Sequence, residues 1–63
     1  MAKYSLVGVD GNAYCIMSYT SKALKREGLT DLVDKMIEEA TSGDYYNLIT
    51  VCNDYVQKAN EVA

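Results

Sequence analysis

The chain has 63 residues, a formal charge of −3 and no histidine, and these values exclude several classes of protein. A chain of this length forms one small domain, residues 1–63, and buries only about 60% of the surface that its unfolded form exposes. Without histidine, neither a Ser-His-Asp nor a Cys-His catalytic site can form. Six basic residues against nine acidic ones do not supply the cationic stripe that general nucleic-acid binding needs. We therefore expect a protein that is neither an enzyme nor a nucleic-acid binder.

Cysteine usage indicates the compartment and the way in which so small a domain is stabilised. The two cysteines, Cys15 and Cys52, both fall in predicted helices, and no secretory signal or membrane-spanning run is visible. The pattern predicts a cytoplasmic protein with two reduced, buried thiols and no membrane partner. No Cys-x-x-Cys pair or Asp-x-Asp-x-Asp loop is present, so no metal and no cofactor is expected. Self-association then remains as the route to added stability.

Residues 3–9 alternate along the chain and predict a β-strand. Successive side chains of a strand face opposite sides, which here gives the sets Tyr4, Leu6, Gly8 and Ser5, Val7, Val9. No partner strand is evident in the same chain, so the ladder N–H and C=O groups need another polypeptide. The strand would pair with its twin in a homodimer or extend the sheet of another protein. Val7→Pro should then weaken both dimer and fold by removing a ladder donor.

Residues 12–27 predict the first helix. Its apolar positions follow the helical period at Ala13, Ile16, Met17, Thr20 and Leu24. Either Asp10 or Asn12 caps its start, and the sequence leaves the two open. Gly28 fits the position after the last turn, where a positive φ is common.

A β-hairpin is the alternative for this region, because Asp10-Gly11 lies between apolar runs and residues 13–19 also alternate. The helix is favoured for two reasons. The helical period continues to Leu24, and residues 22–27 are strong helix formers.

Two further helices are predicted at residues 31–41 and 45–60, capped by Thr30 and Asp44. Their apolar faces are Leu32, Val33, Met36, Ile37, Ala40 and Tyr45, Leu48, Ile49, Cys52, Val56, Ala59. Short connections make consecutive helices antiparallel, and the tail from residue 60 is expected to fray. The predicted fold class is therefore α+β: one short N-terminal strand, paired between chains, followed by a three-helix antiparallel bundle.

Two short motifs occur in order along the chain. The first is Gly8-x-Asp10-Gly11-Asn12-Ala13-Tyr14 and the second is Ser42-Gly43-Asp44-Tyr45. At this spacing they resemble a family of short bacterial and phage-associated proteins of unknown function, whose usual aromatic residue in the first motif is Phe. The resemblance implies a small α+β domain and supplies no activity and no catalytic residue.

The tyrosines are the only aromatic residues, and tyrosine is enriched at protein interfaces. The competing interpretation is that their rings cover the rim of a small core. Together with the predicted strand they define a candidate interaction surface: Tyr4, Leu6, Val7, Val9, Asp10, Asn12, Tyr14 and Tyr19. The sequence thus predicts a non-catalytic interaction module that self-associates.

Acidic side chains support two alternatives. Asp31, Asp34, Glu38 and Glu39 form a patch on the second predicted helix, which would suit an inhibitor or decoy that binds a basic partner surface. Asp10 and Asp44 both precede helices, and a shared cation site is conceivable if the two junctions meet. Two carboxylates without further ligands bind hard cations weakly, so this is the weaker alternative.

Overall fold

The computed structural model describes residues 2–63 and consists of three α-helices. The first helix, α1, spans Ala13–Arg26, α2 spans Val33–Ala40 and α3 spans Tyr45–Val62, and one 3-10 turn, Thr30–Leu32, precedes α2. The 62 described residues contain no strand or sheet. The domain is all-helical, and the predicted α+β class is wrong.

The predicted strand at residues 3–9 is an irregular segment that packs against α1 and α3. The predicted alternation of inward-facing and outward-facing side chains holds in part, since Tyr4 is 4% exposed and Val7 is 91% exposed. The segment ends in a turn where the Val9 N–H donates to the Leu6 carbonyl and Gly8 has a φ of +85°. Such a φ suits glycine, which has no Cβ to clash.

Pairing of this strand between two chains is wrong as the basis of a homodimer, because residues 3–9 form no strand, and the homodimer itself stays a prediction. The Val7 N–H donates to Ser5 Oγ at 3.1 Å, within a local turn and not within a ladder. The predicted effect of Val7→Pro on fold and dimer therefore loses its basis.

The first helix is confirmed, and the hairpin alternative for residues 13–19 is excluded. Asn12 is its cap: the Asn12 side chain accepts the Tyr14 N–H at 2.9 Å. Asp10 stabilises the turn before this cap, because its side chain accepts the Asn12 N–H at 2.8 Å. At the other end Gly28 has a φ of +77°, and the Leu29 N–H returns to the Leu24 carbonyl at 2.8 Å, which closes the helix.

The start of α2 differs from the prediction and the start of α3 agrees with it. Thr30 caps nothing with its side chain; it begins the 3-10 turn, and α2 proper starts at Val33. Asp44 caps α3 by accepting the Asn47 N–H at 2.9 Å. The third helix continues through the expected frayed tail to Val62.

All three helices contribute to the core. The buried apolar side chains are Tyr4, Ile16, Ala23, Leu24, Val33, Met36, Ala40, Leu48, Cys52, Tyr55, Val56 and Ala59. Cys52 is buried as expected, whereas Cys15 is exposed, so the prediction of two buried thiols is wrong for Cys15. Within residues 2–63, no helix combines the length and apolarity needed to cross a bilayer.

Candidate functional site

Side chains of α1 and α3 hold the N-terminal segment through its backbone. We call residues 3–5 the N-terminal clip. The Tyr4 N–H donates to Asn60 Oδ1 at 2.8 Å, and Asn60 Nδ2 donates back to the Tyr4 carbonyl at 2.9 Å. The Ser5 N–H donates to the Tyr19 hydroxyl at 3.0 Å. Side chains of the same chain therefore satisfy backbone groups that the sequence pattern assigned to a second polypeptide.

The ring of Tyr4 fills a small apolar pocket. It packs in a buried cluster with Ala23, Val56 and Ala59 and meets the Tyr19 ring edge-on, with centroids 6.5 Å apart. Its hydroxyl donates to Glu27 Oε2 at the mouth of the pocket. Lys3 Nζ lies 3.2 Å from the same oxygen.

These contacts change the acidity of all three groups. The hydrogen bond from Tyr4, followed by that from Lys3, lowers the pKa of Glu27 below its ordinary value of 4.5. The same hydrogen bond to Glu27 raises the pKa of Tyr4, and the Glu27 carboxylate raises the pKa of Lys3. Glu27 is thus held ionised, with two donors on one carboxylate oxygen.

We expect acid to weaken the clip. Because the pKa of Glu27 is lowered on folding, its stabilising effect is complete above about pH 4.5 and is lost as the pH falls through the lowered value. The thermal midpoint of Glu27→Gln should lie below that of the parent chain at neutral pH, and the difference should shrink as the pH falls below about 4.5. Circular dichroism melts against pH measure this difference. Glu38→Gln, the same change on an exposed side of α2, is the control, and a gap for Glu27→Gln that stays constant down to pH 3 would contradict the assignment.

A shallow groove runs along the exposed side of α1. We call its lining the α1 outer face, which consists of Val9, Tyr14, Cys15, Ser18, Tyr19 and Lys22. The helical period places these α1 positions together, opposite the buried Ile16, Thr20 and Ala23. Tyr14 is 80% exposed although it is large and mostly apolar. Val7, within the turn before this helix, is also exposed.

Charge is unevenly distributed along this side of α1. Asp10 precedes the helix, whereas Lys22, Lys25 and Arg26 lie toward its C-terminal end, and all four are exposed. Within the described part of the chain the one ion pair joins Lys3 and Glu27. The α1 outer face is therefore flanked by an acidic residue before α1 and by basic residues at the end of α1, and none of these charges has an ion-pair partner among residues 2–63.

The structure divides the eight predicted interaction residues into four groups. Val9, Tyr14 and Tyr19 line the groove, and Tyr19 also receives the clip. Tyr4 and Leu6 pack inward, while Asp10 and Asn12 shape the start of α1. Val7 is exposed within the turn at residues 6–9 and does not line the groove.

Four residues of the candidate site were not predicted from the sequence. Asn60 holds the N-terminal clip, and Cys15, Ser18 and Lys22 line the groove. Asn60 was assigned to a fraying tail, and a lone asparagine near a chain end carries no signal of its role. The three α1 residues follow from the helical wheel once the buried side is known, because they occupy the opposite side.

The starts of α1 and α3 do meet, as the cation alternative required. The Tyr45 hydroxyl donates to the Gly11 carbonyl and links the two helix starts. Asp10 and Asp44 each accept a backbone N–H, and residues 2–63 hold no group of three side chains suited to a metal ion. The geometry accounts for both carboxylates as turn and cap residues.

Neither cysteine lies beside a histidine, since the chain has none. Burial raises the pKa of the Cys52 thiol, which keeps it protonated within the core. Cys15 lies in the open groove as a free thiol.

No protein-family model, curated protein or solved structure matches the chain. The resemblance based on the two short motifs therefore stays a prediction.

Proposed function

We propose that the chain is a non-catalytic interaction module that self-associates through the α1 outer face. The observation that carries the proposal is the groove on α1, which exposes Tyr14 and joins apolar and tyrosine side chains on one side of a small domain. Tyrosine gives a large contact area at low entropic cost and is enriched in interface cores. The proposed interface therefore lies on α1, and not on the strand that the sequence predicted.

Charge favours a second copy as the occupant. Tyr14 and Lys22 lie about one helical turn on either side of Ser18. Arg26 lies about two turns beyond Ser18, and Asp10 lies just before the Asn12 cap at the opposite end of α1. If two α1 helices pack antiparallel around a two-fold axis at Ser18, Lys22 of one copy faces Tyr14 of the other and Arg26 faces Asp10. Such a two-fold interface is self-complementary. Antiparallel helix dipoles and a cation over an aromatic ring favour the same arrangement.

The alternative of an acidic decoy has less support from the geometry. Glu39 accepts a hydrogen bond from the Tyr55 hydroxyl, so only Asp31, Asp34 and Glu38 remain exposed in the acidic patch. Three carboxylates make a weak anionic surface. The two free thiols favour a reducing compartment such as the cytoplasm for the proposed module.

Tyr14→Lys should strongly weaken the dimer, because it removes the tyrosine ring and places an ammonium group opposite Lys22 of the second copy. We expect the dissociation constant to rise at least about tenfold. Sedimentation equilibrium from micromolar to millimolar concentration measures this change. Tyr46→Lys is a matched control, since Tyr46 is also the second residue of its helix, is 83% exposed and lies outside the α1 outer face.

Two results would contradict this function. If the parent chain sediments as a monomer at millimolar concentration, self-association is excluded. Equal weakening by Tyr14→Lys and Tyr46→Lys would exclude the α1 outer face as the site of self-association.

A further inference from the structure

A second groove lies where the starts of α1 and α3 meet the end of α2, and we call it the junction groove. Its volume is about 440 Å³. The least exposed residues of its lining are apolar: Ala13 and Met17 of α1, Ala40 at the end of α2, and Leu48 of α3. Pockets of roughly 300–1,000 Å³ with an apolar lining and a few polar groups are typical of small-molecule sites.

Two tyrosines border the junction groove. The Tyr45 hydroxyl donates to the Gly11 carbonyl, so the Tyr45 ring spans the gap between the start of α3 and the turn before α1. Tyr14 is 80% exposed and Tyr45 is 49% exposed, so both rings remain open to a ligand. The face of an aromatic ring attracts a cation, and quaternary ammonium ligands are recognised in this way.

One carboxylate completes the border. Asp44 caps α3 with Oδ1, which accepts the Asn47 N–H at 2.9 Å, and this hydrogen bond fixes the side chain in place. Within residues 2–63, Asp44 forms no ion pair and is the one residue with a formal charge that lines this groove. The charge of the groove therefore complements a cation.

We infer that the junction groove binds a small organic cation of the alkylated ammonium class, such as choline, as a free molecule. The alkyl groups of the ligand contact Met17 and Leu48, the two tyrosine rings attract its charge, and the Asp44 carboxylate balances that charge. A neutral molecule of the same shape lacks the two electrostatic contributions. A simple ammonium group, as in lysine, is more strongly hydrated and loses more on leaving water.

This site goes beyond self-association and does not depend on it. The junction groove and the α1 outer face share Tyr14 alone, whereas Ala40 and Leu48 line only the junction groove. Signals from these two residues therefore report the junction groove separately from the proposed dimer.

NMR titration of the isotope-labelled parent chain with choline, at constant ionic strength, tests the inference. The neutral control is neohexyl alcohol, in which a carbon atom replaces the nitrogen of choline. Choline should shift the amide resonances of Ala40 and Leu48, and it should bind at least about threefold more tightly than the alcohol.

Two variants test the side chains that recognise the charge. Asp44→Asn removes the carboxylate and keeps the helix cap, because asparagine and aspartate cap about equally well. Tyr14→Leu keeps an apolar side chain and removes the ring. Each should weaken choline binding at least about threefold and leave binding of the alcohol unchanged. The matched controls are Asp54→Asn and Tyr46→Leu, at exposed positions of α3 outside the groove, and both should bind choline as the parent chain does.

Three results would overturn the inference. The first is the absence of shifts at Ala40 and Leu48 at choline concentrations well above the millimolar range. The second is equal affinity for choline and neohexyl alcohol, which would leave only an apolar surface. The third is tighter binding to phosphatidylcholine vesicles than to free choline, which would assign the groove to a lipid headgroup. We expect no vesicle binding, because the headgroup phosphate would meet the Asp44 carboxylate.

Discussion

Replacing Tyr4 by alanine should lower the thermal midpoint of the chain by roughly 10–20 °C, a large effect for a residue so close to a chain end. Tyr4 is 4% exposed, and its ring closes the pocket formed by Ala23, Val56 and Ala59. Truncation leaves a cavity, removes the hydrogen bond to Glu27 and leaves that carboxylate with Lys3 alone. In a domain whose single core rarely supplies more than about 3–5 kcal/mol, such a loss is severe.

Val7→Ala is the control for this prediction. Val7 lies three residues further along the same segment and is 91% exposed, so its truncation should shift the midpoint by less than about 3 °C. Thermal melts followed by circular dichroism compare the two variants. Similar shifts for both would mean that the clip does not dock through Tyr4.

Leu24→Ala should destabilise the chain by about 2–5 kcal/mol. Leu24 is fully buried in the main core cluster, and its carbonyl accepts the N–H of Leu29 at the end of α1. The substitution keeps this backbone hydrogen bond, so the loss of unfolding free energy comes from side-chain packing alone. Because this approaches the whole stability of the domain, we expect a largely unfolded population at room temperature.

Urea unfolding monitored by circular dichroism measures the effect. Ile37→Ala on α2, where the side chain is 39% exposed, removes a similar volume and should cost less than half as much. A Leu24→Ala chain that unfolds at the same urea concentration as the parent would contradict the packing described.

Helix positions were predictable where periodicity and caps agreed. Asp44 before a helical period marked the start of α3, and Gly28 marked the end of α1. The 3-10 turn before α2 was not predictable, because Thr30 followed by Asp31 also matches an ordinary helix start. Boundaries of this kind depend on how the turn packs.

The prediction of a strand at residues 3–9 was wrong for a physical reason, which the contacts of Tyr4 and Asn60 show. Alternation reports that one side of an extended segment faces a core, and Tyr4 does so. Alternation does not report which groups form hydrogen bonds with the backbone N–H and C=O groups of the segment. A side-chain amide from Asn60, 56 residues away in sequence, replaces the ladder, and no local pattern reveals a pairing of that separation.

The interaction surface was found in part for a related reason. Tyr14 stood out because it lies off the apolar stripe of its helix, and it is exposed. Cys15 and Lys22 lie on the same side of α1 but carry no aromatic signal, and the sequence pattern placed Cys15 in the core. Residues that line a shallow groove become evident only when the packed side of the helix is known.

One experiment tests the central claim, that each chain closes its own core with Tyr4 and meets its copy through α1. It is an isotope-filtered NOE spectrum of a mixture of labelled and unlabelled chains, which separates contacts within a chain from contacts between chains. The account predicts Tyr4 ring contacts to the Ala59 methyl group within one chain, and contacts at Tyr14 and Ser18 between chains. Backbone contacts between residues 3–9 of two chains, with none at Tyr14, would contradict it.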